Sequence, residues 1–206
     1  MVSHPVSQMK GWLDAVVVFG RMVKDREALG HNRRVAKLCV LIGRELAMTA
    51  AELRVLARAG LIHDIGKLAI PDEILGKREA LDEAEWTLMK AHPEIGLSIL
   101  GDSQSRRALF AVLYHHERLD GSGYPYGLDA AAIPIEARIV AVADTYDALT
   151  SDRPYRKARS SREARRVLME EAHVRLDTRV VSAMFKALDA RVTVPGPLAP
   201  RTFLVV

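Results

Sequence analysis

The sequence is poor in cysteine, in aromatic residues and in long apolar runs. Its 206 residues include one cysteine, Cys39. A lone cysteine excludes an internal disulfide framework and fits a reducing compartment. Aromatic residues make up 5% of the chain, so aliphatic side chains must fill the core. The apolar run 15–19 is too short to span a bilayer, and no secretory signal is visible. We therefore expect a cytoplasmic protein without a membrane span.

The excess of positive charge is also small. Thirty basic residues stand against 26 acidic ones, a formal net charge of +4. Much of the excess falls in two short stretches, 33–37 and 153–166. Charge alone permits nucleic-acid binding, but such runs are more often solvated helix faces, and an anionic small molecule fits equally well. We therefore expect no nucleic-acid partner, and the length suits one well-cored domain.

Apolar residues recur at helical spacing along most of the chain, and no segment alternates in the way of a strand. Thr49 followed by Glu52 is a capping-box pattern that marks one helix start. Pro93 should end another helix, because the residue before a proline is disfavoured in a helix. An all-α fold is therefore expected. The predicted elements are an N-terminal helix around 12–23, helices that begin after Gly30, at Thr49, after Asp82 and after Ser160 or Ser161, helices over 106–117 and 135–150, a Gly- and Pro-rich loop over 120–134, and a last helix capped by Asp177.

The histidines are unevenly placed. Five of the seven lie near predicted helix ends or in short polar breaks. Asp64 directly follows one of them, and Asp144 interrupts an apolar helix, where a carboxylate is costly unless it is paired or bound to a cation. Mixed imidazole and carboxylate ligands suit Fe, Mn or Zn better than Ca or Mg. Each such histidine alone is more often an ordinary polar residue, so the residues by themselves indicate only a candidate polynuclear metal site. The five are His31, His63, His92, His115 and His116.

Two motifs narrow this interpretation. Residues 63–67, HDIGK, resemble the HD-x-G-K signature of HD-type phosphohydrolases. Residues 115–125, HHERLDGSGYP, resemble the HHE-x-x-DG-x-GYP signature of the HD-GYP family. The similarity extends from about Glu27 to Leu188 in the order and spacing of that family. It implies a compact helical bundle of the HD-superfamily type. Further matching segments are His31 with Arg34 and Val35, His92 with Pro93, 143–151 and 152–156.

The resemblance also implies a metal centre. The family's centres hold two or three divalent metal ions, usually iron or manganese, and such ions activate water for attack on phosphorus. Asp64 is implied as the bridging ligand. Glu27 occupies the place of an extra glutamate in some members, so a third ion is one reading, and an exposed helix charge is the other. The implied metal ligands are Glu27, His31, His63, Asp64, His92, His115, His116 and Asp144.

The implied reaction is hydrolysis of cyclic di-GMP to linear pGpG, with GMP as a further product in some members. Asp64 and Lys67 are the implied catalytic residues, and Lys67 also contacts a substrate phosphate. Arg153 and Arg156 resemble the family's other phosphate contacts. Tyr124 shapes the substrate entrance or serves only to pack its loop. The GYP loop is implied as a protein-contact surface, with diguanylate cyclases as candidate partners.

Three segments follow from these observations: an N-terminal amphipathic helix over 1–26, packed or dimerising; a catalytic domain over 27–190; and a proline-containing tail over 191–206, a packed strap or disordered. The first segment is too short for a regulatory domain, so the chain is a stand-alone enzyme, a fragment, or an enzyme regulated by a partner. Three other functions stay open. They are hydrolysis of another cyclic dinucleotide such as cyclic GMP-AMP, non-catalytic sensing or scaffolding, and a purely structural helical module.

Overall fold

A computed structural model describes residues 26–152 and 156–192. In those two ranges the chain forms nine α-helices and two 3₁₀ segments, and its only extended pairings are isolated backbone bridges. The predicted all-α fold is confirmed there. The predicted helix around 12–23 and residues 193–206 of the predicted tail lie outside the described residues. Arg191 and Val192, which were assigned to that tail, belong to the last helix. The helices are α1 (Arg26–Glu45), α2 (Ala50–Ile62), α3 (Asp72–Leu75), α4 (Glu83–Lys90), α5 (His92–Leu100), α6 (Arg106–Tyr114), α7 (Ile135–Thr150), α8 (Ser161–Glu171) and α9 (Thr178–Val192), with 3₁₀ segments at Ile65–Ala69 and Gly101–Ser103.

The helix starts that carry capping patterns lie where the sequence predicts them. In each capping box the first side chain accepts the third helical N–H, and the glutamate accepts the N–H of the cap residue. Such a cap contributes about 1 kcal/mol to stability. Asp177 likewise accepts the N–H of Arg179 at 2.9 Å at the start of α9. The three boxes are Thr49 with Glu52, Asp82 with Glu85 and Ser160 with Glu163.

Two predicted boundaries are wrong. Helix α1 begins at Arg26, so Gly30 lies inside it and does not precede it. A glycine within a helix costs only about 1 kcal/mol, which a long amphipathic helix tolerates. Helix α6 ends at Tyr114, three residues before the predicted end. The Val112 carbonyl, which the next helical turn would use, instead accepts a hydrogen bond from the His115 ring at 2.6 Å. The short helix α3 and helix α5 had no sequence prediction.

Helix α7 is the centre of the bundle. It packs against α1, α6 and α8, while α1 also packs along α2 and against α9. Ile139, Val140 and Val142 of α7 have no exposed surface, and neither does Ile42 of α1. Each fully buried side chain of this size stabilises the fold by roughly 1.5–3 kcal/mol. Cys39 lies in the same core, as predicted, and burial raises the pKa of its thiol.

A helix long and apolar enough to cross a membrane does not occur in ranges 26–152 and 156–192.

The 3₁₀ segment after His63 lies in close contact with α5. A Cβ atom on Gly66 would lie 1.8 Å from the carbonyl oxygen of His92 and 2.7 Å from the N atom of Gly96. Only glycine allows backbones to approach this closely. The approach places Asp64, two residues before Gly66, beside the first residue of α5.

Candidate metal centre

Seven histidine and aspartate residues meet at one place in the bundle, and His116, which directly follows His115, is one of them. His31 projects from α1, His63 is the C-terminal cap residue of α2, and His92 begins α5. His115 is the C-terminal cap residue of α6, and Asp144 lies in α7. Asp64 lies between α2 and the first 3₁₀ segment. Residues that the sequence separates by more than a hundred positions therefore form one cluster.

The cluster is deeply buried. His63 and His115 have no exposed surface, and His92 is 1% exposed. The rings contact one another in series: His31 to His63 at 5.3 Å between centroids, His63 to His115 at 5.1 Å, and His92 to His116 at 5.0 Å. Five imidazoles without an intervening apolar side chain are not an ordinary core. Such a group needs a cation or proton shared among its nitrogens.

Asp64 divides these histidines into two sets. Its Oδ1 atom lies 3.4 Å from Nε2 of His92 and 3.8 Å from Nε2 of His115. Its Oδ2 atom lies 3.4 Å from Nε2 of His63 and 3.8 Å from Nε2 of His31. The potential ligand atoms form two groups with Asp64 in both: one with His92, His115 and His116, the other with His31 and His63. Such a position would allow one carboxylate to contact two ions.

Asp144 adds a second carboxylate on the side of His31. Its Oδ1 atom lies 3.3 Å from Nε2 of His31 and 4.0 Å from Nε2 of His63. The sequence predicted that a carboxylate inside this apolar helix needs a partner. Helix α7 presents Asp144 to the cluster while its neighbours Val142 and Ala143 are fully buried in the core.

Helix carbonyls orient three of the rings. Nδ1 of His63 bonds the Gly60 carbonyl at 3.0 Å, and His92 and His115 bond Met89 and Val112 in the same way at 2.8 and 2.6 Å. Carbonyl groups in the last turn of a helix lack helical partners, so a histidine three residues later can use them. Because a carbonyl only accepts, each Nδ1 carries the proton. Each Nε2 then directs its lone pair into the cluster, as a metal ligand requires.

Asp147 orients the fourth ring, and the sequence interpretation missed this residue. Nδ1 of His31 donates to Oδ2 of Asp147 at 2.8 Å. Arg34 holds the same carboxylate through Nε at 2.6 Å and a second nitrogen at 3.0 Å. A carboxylate behind a ligating histidine fixes the ring and increases its basicity. The available signal was spacing, since Asp147 follows Asp144 by three positions on one face of a helix.

The charges around the cluster favour ionised carboxylates and mostly neutral rings. Burial disfavours the charged form of Asp64, but Lys67 and His63 outweigh it, and the pKa of Asp64 lies well below its usual range. Burial, with the neighbouring rings, holds the pKa of His115 and His116 well below the usual range. His31 differs, because hydrogen bonds to Asp144 and Asp147 overcome burial and raise its pKa to about 9.

Two buried acceptors in the cluster have no hydrogen-bond partner within the described residues. They are Nε2 of His63 and Oδ1 of Asp64. An unpaired buried acceptor costs roughly 1–3 kcal/mol, so native proteins seldom leave one. Each of the two atoms lies 3.4 Å from another potential ligand atom. Nitrogen with carboxylate oxygen is the donor set of Fe, Mn and Zn sites. The residues present therefore fit divalent metal ions.

The loop after α6 folds back over the cluster. The ring of Tyr124 stacks on that of His116, with 4.6 Å between centroids and 24° between planes. The backbone N–H of Tyr124 donates to the backbone carbonyl of His116 at 3.3 Å. A Cβ atom on Gly123 would lie 2.4 Å from the Cα atom of Glu117, so glycine is required for this contact. Tyr124 thus closes one side of the metal-ligand cluster.

Glu117 holds this loop in place, and it is the second residue without a predicted role. Its side chain is 2% exposed, and its two carboxylate oxygens accept the N–H groups of Tyr126 at 2.8 Å and Leu128 at 3.0 Å. A buried carboxylate that accepts two backbone donors is strongly satisfied. The sequence signal was its place directly after the His115–His116 pair, in the motif itself.

Comparison with known proteins agrees with this architecture. The family model of the HD domain matches residues 18–180. The chain belongs to the HD domain family. Over 157 residues it is 45% identical to the cyclic di-GMP phosphodiesterase response regulator RpfG of Xanthomonas campestris, which covers 74% of this chain and 41% of that protein. It is 40% identical to 3′3′-cGAMP-specific phosphodiesterase 3 of Vibrio cholerae, over 84% of this chain and 38% of that protein. The chain therefore spans about two fifths of the length of these relatives.

Solved structures agree as well. The cyclic GMP-AMP-specific phosphodiesterase V-cGAP3 of Vibrio cholerae is 34% identical, with a TM-score of 0.53 over 86% of this chain and 41% of that one. Bd1817, an HDG"Y"P protein from Bdellovibrio bacteriovorus, has a TM-score of 0.66 over 89% of this chain and 60% of that one. At 19% identity it shares the fold alone. The family-model match, the curated relatives at 40–45% identity and the motif over 115–125 place the chain in the HD-GYP branch of the HD family.

Four residues that the sequence predicts for the site of this HD-GYP chain remain: Lys67, Arg156, Glu27 and Arg153. Lys67 pairs with Oδ2 of Asp64 at 2.6 Å, and its side chain is 36% exposed. Arg156 donates to the carbonyl of Ala148, and its other terminal nitrogen is buried with no hydrogen-bond partner in the described part of the chain. Glu27 lies in α1 one turn before His31, but its side chain is not described. Arg153 lies outside the described residues. Their predicted roles stay predictions.

Proposed function

We propose that this chain is a metal-dependent phosphodiesterase that hydrolyses cyclic di-GMP, with pGpG or GMP as the final product. The observation that carries the proposal is Asp64, whose two oxygens lie toward two separate histidine groups. A bridging carboxylate between nitrogen-rich sites is a recurring device in phosphoester hydrolysis. Relatives at 40–45% identity are named cyclic di-GMP or cyclic GMP-AMP phosphodiesterases, which supports the same reaction class here.

The centre is proposed to hold two ions, iron or manganese, and a third if Glu27 contributes. Bound metal ions supply an activated water and neutralise charge on the phosphoryl oxygens. The protein's part is to hold the rings in one tautomer, through the carbonyl and Asp147 contacts, and to exclude bulk water from the cluster. The proposed ligands are Glu27, His31, His63, Asp64, His92, His115, His116 and Asp144.

Four other residues are proposed to bind the substrate. Lys67 would leave its ion pair with Asp64 to contact a phosphate oxygen as a point charge. Burial raises the pKa of Tyr124, so its hydroxyl keeps its proton and can donate to a substrate oxygen. The buried unpaired nitrogen of Arg156 is a donor without an acceptor, which supports a role in binding an anion. Arg153 is proposed as its companion on sequence resemblance alone.

A second substrate has specific support. Relatives at 34–40% identity include proteins named 3′3′-cGAMP-specific phosphodiesterases, one of them with a solved structure. Cyclic GMP-AMP is therefore the first alternative to cyclic di-GMP. A non-catalytic sensor is the other alternative, and it is opposed by the presence of every described metal ligand that the motifs predict.

A cytoplasmic location is proposed from the lone cysteine of the chain, which fits a reducing compartment. Contact of the GYP loop with a diguanylate cyclase, and a homodimer through the N-terminal segment, remain predictions from resemblance and from the apolar stripe.

The test is anaerobic purification followed by metal analysis and product chromatography. The protein is incubated with cyclic di-GMP, and separately with 3′3′-cyclic GMP-AMP, in the presence of Mn²⁺ or Fe²⁺. Two or three metal ions per chain with pGpG or GMP as product would support the proposal, and the stoichiometry would decide the part of Glu27. A full metal complement without turnover of either nucleotide would overturn it in favour of a sensor.

A further inference from the structure

Helix α4 lies at the surface of the described part of the chain. None of its eight residues is buried, although it carries the large apolar side chains of Trp86, Leu88 and Met89. Trp86 is 45% exposed and Leu88 is 50% exposed. Polar contacts hold its N-terminal end: the capping box of Asp82 and Glu85, and the ion pair of Glu85 with Lys77 at 2.5 Å. Burial in the hydrophobic core therefore does not account for a tryptophan at this position.

Trp86 lies close to the metal-ligand cluster. Its ring contacts that of Tyr124 edge-on, with 6.3 Å between centroids and 70° between planes. Tyr124 in turn stacks on His116 and lies 6.3 Å from the ring of His92. Two ring contacts therefore connect the exposed indole to the ligand cluster. The ammonium of Lys90 lies 5.7 Å from the indole centroid, which puts a cation beside the same surface.

We propose that Trp86 is a stacking platform for one purine base of the cyclic dinucleotide. This inference rests on the proposed function and names a subsite within it. In a nucleotide, one sugar separates the base from the phosphate. A phosphate bound at the metal centre would therefore place a base at the edge of the metal-ligand cluster. The exposed indole supplies a flat apolar surface there, and Lys90 suits a ligand that carries phosphate charge.

Stacking also accounts for tolerance between bases. Every purine offers an aromatic face, so a stacking platform binds guanine and adenine alike, whereas hydrogen-bond recognition separates them. Within the HD-GYP branch, relatives are named for cyclic di-GMP and for cyclic GMP-AMP. Trp86 therefore contributes affinity for the substrate class, and the choice between its members is made elsewhere in the site.

The first test compares Trp86→Ala, Trp86→Leu and Trp86→Phe in steady-state hydrolysis of cyclic di-GMP. Loss of one stacked base is expected to raise KM about tenfold in the Ala and Leu variants, with kcat and metal content unchanged, and Phe should restore most of the loss. Leu88→Ala is the matched control, because it removes an equally exposed apolar side chain two positions away. If Leu restores KM as well as Phe does, Trp86 only packs against Tyr124 and the proposal is wrong.

The second test does not depend on turnover. Trp86 and Trp12 are the two tryptophans of the chain, so Trp12→Phe leaves Trp86 as the single indole fluorophore. Rapid mixing with cyclic di-GMP should quench its emission before product forms. Quenching without hydrolysis would keep the platform and reject the phosphodiesterase. Hydrolysis without quenching, and with unchanged KM in Trp86→Ala, would reject the platform and keep the enzyme.

Discussion

His31 donates from its Nδ1 atom to Oδ2 of Asp147 at 2.8 Å, and it is the only described ring of the cluster whose Nδ1 is bonded to a carboxylate and not to a helix carbonyl. Arg34 anchors that carboxylate from the outside. The relationship would make Asp147 a positioning residue for the ion that His31 and His63 are proposed to hold.

Asp147→Ala is expected to weaken metal binding at this position by roughly 10–100-fold, because a ligating histidine loses the partner that orients it. Asp147→Asn should lose less, since its amide oxygen still accepts the Nδ1 hydrogen. Titration calorimetry with Mn²⁺ measures both variants. Asp189→Asn, which alters an exposed carboxylate paired with Arg165, is the control. If both Asp147 variants bind Mn²⁺ with the affinity of the Asp189→Asn control, Asp147 has no role in the metal site.

His63→Ala combined with Asp64→Ala should abolish hydrolysis and lower the metal content while the helical fold persists. Asp64 contacts both histidine groups, so its loss removes a ligand that the two proposed ion positions share. Metal analysis and circular dichroism are measured on the same preparation. His173→Asn is the matched control, because His173 is exposed, lies outside the cluster, and has a positive φ that asparagine tolerates. Turnover at the wild-type rate in the double variant would contradict the metal assignment.

Glu117→Ala should release the loop over 120–134 from α6, because two backbone N–H groups lose their buried acceptor. Removing a buried hydrogen-bonding partner costs roughly 1–3 kcal/mol for each group left unsatisfied. Limited proteolysis should then cleave this loop faster, and kcat/KM should fall because Tyr124 is no longer held over His116.

Glu94→Gln is the control for this change. Glu94 accepts a hydrogen bond from the hydroxyl of Tyr126 at 3.0 Å, so it contacts the same loop through an exposed side chain. Its cleavage rate should match that of the wild-type protein. A loop equally resistant in Glu117→Ala would show that the glycine contact at position 123 is sufficient to hold it.

Gly66→Ala should destabilise the fold by about 3 kcal/mol, because the new methyl group would lie 1.8 Å from the His92 carbonyl oxygen. The backbone must move apart, which also separates Asp64 from His92. Gly76→Ala is the comparison, since its Cβ would meet its nearest neighbour, the Asp72 carbonyl oxygen, at 3.2 Å. Urea unfolding of both variants measures the difference. Equal midpoints would show that the 3₁₀ segment shifts without cost.

Local patterns predicted the capped helix starts and both ends of α7, but they misplaced the end of α6 and the start of α1. Capping boxes at Thr49, Asp82 and Ser160 are complete within four residues, so their physics is local and readable. The end of α6 depends on the ring of His115, which withdraws a carbonyl from the helix, and that choice is set by the cluster. The start of α1 was misplaced because Gly30 is tolerated by a helix that packs along α2 and α7.

The sequence alone determined the helical class and the motifs, because these depend on residue types at fixed spacing. The candidate ligand set followed from the resemblance of those motifs to the HD-GYP family. Tertiary structure decided what the ligands do. It places histidines near each of the two oxygens of Asp64 and fixes the tautomer of three rings. It also brings Asp147 against the ring of His31, and Glu117 against the loop that carries Tyr124. Those relationships join residues from helices far apart in the chain. They depend on distances of a few ångströms that only the packing of α1, α2, α5, α6 and α7 sets.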